Sequence, residues 1–80
     1  MGSWLETLAD AGRNIEPARS RATVHRWCQK HPALGVQIGG RRFVFVEARK
    51  AIAQGVSLAE AERIGAACAE RARAGVQAAA

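Results

Sequence analysis

Gly39-Gly40 separates two runs that carry the two-residue period of a strand. Before it, Val36 and Ile38 flank Gln37; after it, Arg41-Arg42-Phe43-Val44-Phe45-Val46 returns. Tight hairpin turns need positive φ, which glycine adopts without steric cost, so the pattern predicts a β-hairpin. Phe43 and Phe45 would point to one side of the return strand and Val44 and Val46 to the other. Both faces of that strand are apolar, so a cover is expected on each.

The segments on either side have helical spacing instead. Ser20 to His31 reads as a helix with Ser20 as N-cap and Pro32 as its stop. Val24, Trp27 and Cys28 share its apolar face, while Arg21, Ala22, His25, Arg26 and Gln29 are left outward. Trp4 to Ala11 reads as a short helix, with Ser3 and Glu6 spaced as a capping box and Trp4, Leu5 and Leu8 on one face. Gly12 and Asn14 would end it, and residues 13–19 form a loop punctuated by Pro17. Glu47 to Gln54 reads as a helix closed by Gly55. Ser57-Leu58-Ala59-Glu60 matches another capping box and opens a last helix running to about Arg73. Its stripe of Leu58, Ala61, Ile64, Cys68 and Ala72 is made mostly of small residues and suits close helix–helix contact. The final residues, Val76 to Ala80, are expected to fray.

These elements have only 80 residues to share. That is room for one small core, here a domain over 1–55 with a helical segment over 56–80, and not for a wide cleft between domains. Cys28 and Cys68 are the only cysteines and form no CxxC pair, so neither a disulfide framework nor a Cys28–Cys68 bridge is expected. No signal-peptide pattern and no run of about 18 apolar residues is present, which predicts a soluble intracellular protein with reduced thiols. His25, Cys28 and His31 lie three apart on a helix, which puts the two imidazoles on different sides, and no fourth ligand accompanies them. No metal or other cofactor is expected. Glu60, Glu62 and Glu70 read as a solvated helix face. No nucleophile–base set emerges, so an enzyme is not expected.

The charge is uneven. The chain has 12 Lys and Arg against 7 Asp and Glu, a net of +5. Residues 13–50 hold nine cations against Glu16 and Glu47, a local excess of +7; residues 51–80 balance, and the first twelve carry −2. A basic stretch of this kind is the electrostatic footprint of polyanion binding. Ten of the twelve cations are Arg, whose fork suits phosphate and guanine.

Helix, loop, capped helix, hairpin, helix is the order of a winged helix-turn-helix reader in the α+β class. An outward helix face with Arg and Gln fits a major groove, and a slim hairpin with Arg at its tip fits the neighbouring minor groove or its phosphates. The DNA-contacting set expected on this layout is Ser20, Arg21, Ala22, Thr23, His25, Arg26, Gln29, Lys30, Arg41 and Arg42.

At two of these places the chain resembles a known family. Thr23-Val24-His25-Arg26-Trp27, followed by Gly40-Arg41-Arg42-Phe43-Val44-Phe45, is similar to the recognition helix and wing of the phage and mobile-element excisionases. These are recombination directionality factors with a fold related to the N-terminal domain of MerR-type activators. Trp4 and Pro17 also stand where lambda-type excisionases have Trp and Pro. The resemblance covers roughly residues 4–52. It implies that Arg26 reads the major groove, that Arg41 reaches the minor groove, and that Val24 and Trp27 are core. The chain departs from the family at Ala22, where the lambda-type proteins carry an acidic base-contacting residue, and at His25, commonly Arg. The resemblance further implies binding to adjacent sites on double-stranded DNA, bending of that DNA, and contact with a tyrosine-type integrase. The last helix has no counterpart in the minimal family and is expected to serve self-association or partner contact. A small transcriptional regulator of the same fold is the alternative; an adaptor that meets an acidic protein is the alternative from another class.

Overall fold

A computed structural model describes the backbone of residues 4–79 and the side chains of residues 4–74. The described residues form four α-helices and one three-stranded antiparallel sheet, an α+β architecture. In chain order these are β1 (Leu5–Thr7), α1 (Leu8–Arg13), α2 (Arg21–Lys30), a 3₁₀ turn (Pro32–Leu34), β2 (Gly35–Ile38), β3 (Arg41–Phe45), α3 (Val46–Ala53) and α4 (Leu58–Ala79).

The hairpin forms as its sequence predicts. Gly39 and Gly40 turn the chain at φ +57° and +78°, and the strands pair Ile38 with Arg41, Gln37 with Arg42 and Val36 with Phe43. The return strand ends one residue early. Val46 already belongs to α3, and its N–H donates to the Trp4 carbonyl at 2.9 Å.

The N-terminal segment differs from the expected helix over 4–11. Leu5–Thr7 is a strand paired with β3, with Leu5 opposite Phe45, Glu6 opposite Val44 and Thr7 opposite Phe43. The helix starts only at Leu8, capped by Thr7 Oγ1, which accepts from the Asp10 N–H at 3.1 Å. Ser3, the cap expected from sequence, lies outside the described residues. The cause is the free edge of β3, which β1 fills, since an unpaired edge leaves backbone groups without partners. Glu6 is then drawn into a two-point bond with Arg49 of α3, at 2.9 and 2.8 Å, instead of a capping box. α1 runs through Gly12, and Asn14 is its C-cap. β3 thus sits between β1 and β2 with both edges paired, and Val44 and Phe45, on its opposite faces, are both buried in the core. The Trp4 ring lies against Phe45 with centroids 5.6 Å apart.

Phe45, Leu34 and Cys28 are the largest fully buried side chains. Around them pack Leu8, Ala11, Val24, Val44, Ala48, Ala51, Ala61 and Cys68. Each larger apolar side chain so buried stabilises the fold by about 1.5–3 kcal/mol. Ala61 and Cys68 come from α4, so the segment expected as a separate unit over 56–80 shares this core with residues 1–55. Ser57 caps α4 as predicted, accepting from the Glu60 N–H at 3.2 Å. The helix extends past Arg73 to Ala79. Gly65, absent from the predicted stripe, lies against the 3₁₀ turn. A Cβ there would stand 2.1 Å from the Ala33 carbonyl oxygen.

Candidate nucleic-acid interface

Helix α2 is fixed from one side. Val24 and Cys28 are buried and Trp27 half-buried, which turns Arg21, Ala22, His25, Arg26, Gln29 and Lys30 to solvent. At its start Ser20 Oγ accepts the Thr23 N–H at 3.2 Å, and the two hydroxyls are 3.1 Å apart. Ser20 and Thr23 are therefore engaged with each other as a cap, and Ser20 remains exposed.

The exposed residues form two adjacent ridges, because side chains four apart stack along a helix. Arg21, His25 and Gln29 face the hairpin. Together with Gln37, Arg41 and Arg42 they line a cleft of about 780 Å³, whose remaining wall includes Thr7, Leu8 and Ala9 at the start of α1. Ala22, Arg26 and Lys30 form the neighbouring ridge and do not line the cleft. The structure therefore brings together five of the ten residues singled out from sequence and sets Ala22, Arg26 and Lys30 beside them. Gln37, Thr7 and Ala9 were missed. Gln37 was legible, since counting outward from Gly39-Gly40 puts it opposite Arg42.

The two hairpin arginines differ. Arg41 is exposed, whereas Arg42 is half-buried. Arg42 Nη2 donates to the Pro32 carbonyl at 2.9 Å, and its Nε is buried without a hydrogen-bond partner. Arg42 is thus tied to the turn that follows α2, and the expectation of an outward arginine pair at the tip holds only for Arg41.

Ion pairing elsewhere sharpens this charge. Asp10 pairs with Arg13, Glu6 with Arg49, Glu60 with Arg63, Glu47 with Arg71 and Glu70 with Arg73, while Glu62 is hydrogen-bonded to His31. Arg21, Arg26, Lys30, Arg41 and Arg42 have no carboxylate partner among the described residues, and no carboxylate lines the cleft. Arg19, just ahead of α2, and Lys50 on α3 also lack one, so five of the seven unpartnered cations stand on α2 and the hairpin.

Burial pushes the Cys28 thiol up, opposed by the nearby Arg42 guanidinium. A neutral buried thiol is a poor nucleophile. Burial and the nearby Glu47 push Cys68 up as well. Glu47 is held below the usual glutamate range by hydrogen bonds from Cys68 and Arg71, and Glu62 by those from His31 and the Ala33 N–H. Among the described residues, no three His, Cys, Asp or Glu side chains are grouped to hold a metal ion, and no helix is long and apolar enough to cross a membrane. No family model, curated protein or solved structure matches the chain.

Proposed function

We propose that the chain is a sequence-specific DNA-binding protein of the winged helix-turn-helix type, acting as an excisionase. On this reading it binds and bends attachment-site DNA and directs a tyrosine-type integrase toward excision. One observation carries the DNA part: of the seven cations without a carboxylate partner among the described residues, five stand on α2 and the hairpin, around a cleft with no carboxylate in its walls. α2 offers Arg26 and Gln29 for paired hydrogen bonds to base edges, and the hairpin is the wing, offering Arg41 to the neighbouring minor groove. The excisionase part rests on the resemblance of Thr23–Trp27 and Gly40–Phe45 to that family.

Selection from random-sequence duplexes tests the first part. Recovery of a common site, bound with an affinity that falls steeply with salt, is expected; recovery of unrelated sequences only would defeat it and favour the adaptor. An excision assay with the integrase tests the second. Excision that rises with added protein supports the reading. An unchanged yield, with altered output from a promoter carrying the selected site, favours a transcriptional regulator.

A further inference from the structure

We infer that the cleft between α2 and the hairpin is a seat for a single phosphodiester group, the one on the strand that separates the two grooves; this rests on the DNA-binding reading above. A helix in the major groove and a hairpin in the adjacent minor groove have one sugar-phosphate strand between them. Whatever lies between helix and hairpin on the protein must face that strand. In this chain the space between them is an open concavity of about 780 Å³, wide enough for a stretch of sugar-phosphate strand to enter.

Its chemistry selects an anion. Arg21 and His25 reach it from α2, Arg41 and Arg42 from the hairpin, and no carboxylate lines it. Its other polar side chains are Thr7, already capping α1, and the amides of Gln29 and Gln37. Arg21 is the first residue of α2, so the positive end of the helix dipole adds to its charge. Arg42 is already held by the Pro32 carbonyl at 2.9 Å. A guanidinium fixed in advance loses less rotamer freedom when a phosphate arrives. No carboxylate among the described residues pairs with Arg42, so its charge adds to the positive field of the cleft. The seat explains why the hairpin carries two arginines of different exposure: Arg41 is free to follow the groove, while Arg42 holds the floor.

The test uses the full chain and a duplex recovered by selection from random sequence. Each phosphate across the footprint is replaced singly by a neutral methylphosphonate. One position, between the segments protected by α2 and by the hairpin, should weaken binding by about tenfold, the scale of a lost charge-assisted hydrogen bond. Arg21→Gln should bind the unmodified duplex more weakly and lose most of that position's sensitivity. Arg41→Gln is a second variant, and circular dichroism verifies that both fold. Sensitivity profiles that coincide at every position for the wild type and both variants overturn the seat and leave DNA binding intact. If selection recovers no duplex, the DNA reading fails, and titration with inorganic phosphate decides the seat. Saturable NMR shifts confined to the amides of α2 and the hairpin retain it with free phosphate as the ligand; their absence overturns it.

Discussion

Glu62 of α4 accepts from His31 Nδ1 at 3.0 Å, and its second oxygen accepts the Ala33 N–H at 3.2 Å. One carboxylate thus ties the last helix to the turn that ends α2. Because Nδ1 donates here, the proton is placed by its partner. The contact bridges 31 positions of sequence, and it steadies the end of the helix that presents Gln29 and Lys30.

The pH dependence of that tie has a definite sign. His31 and the Ala33 N–H hold Glu62 below its ordinary value, so the contribution to stability is complete above the unfolded glutamate value of about 4.3 and is lost as pH falls through the lower folded value. Urea unfolding of the wild type and Glu62→Gln should show the wild type more stable at neutral pH. The difference should shrink as pH drops below about 4.3. A gap that stays constant down to pH 3 would contradict the tie.

Gly65 fixes how closely α4 can approach the same turn. In an open helix, Gly→Ala stabilises by up to about 1 kcal/mol. At Gly65 the new Cβ would stand 2.1 Å from the Ala33 carbonyl oxygen, a backbone atom that cannot swing aside. Gly65→Ala should therefore destabilise, by about 1–3 kcal/mol as for other overpacked sites. The sign is the diagnostic, and a higher unfolding midpoint would mean that α4 does not lie against the turn as described.

Local chemistry made much of this architecture legible. The Ser20 cap, the Gly39-Gly40 turn and the Ser57 cap each depend on residues within four positions of one another, and each formed as expected. Strand β1 did not follow from such signals. Trp4, Leu5 and Leu8 fit a helical stripe, and what makes Leu5–Thr7 a strand is an edge supplied by Phe43–Phe45, about 40 residues away. Gly65 escaped for the same reason, since its need for a bare Cα comes from Ala33. At the candidate interface, the charge cluster and the outward face of α2 were readable. The inward turn of Arg42 was not, because the Pro32 carbonyl that draws it belongs to another element.

Arg41 and Arg42 should separate in a stability measurement. Arg42→Ala removes the hydrogen bond to Pro32 and should lower the unfolding free energy by about 0.5–1.5 kcal/mol. Arg41 is exposed and carries no such bond, so Arg41→Ala should stay within about 0.5 kcal/mol of the wild type. Equal losses in urea denaturation would remove the distinction between a fixed and a free arginine on this hairpin.

Arg26 and Lys30 stand on the same exposed ridge of α2, one turn apart, yet the proposed docking gives them different tasks. Arg26 lies mid-helix, where a guanidinium can meet a base edge in the major groove with two hydrogen bonds. Arg26→Ala should cost about 1–3 kcal/mol at the selected site and relax preference at one base pair. Lys30 closes the helix as a point charge and suits a phosphate, so Lys30→Ala should weaken all duplexes alike and reduce the salt slope by about one. Binding isotherms at several salt concentrations, on the selected site and on single-base variants of it, separate the two. If Arg26→Ala instead weakens every duplex equally, the ridge touches only backbone, and base readout must be sought on the Arg21–His25–Gln29 ridge.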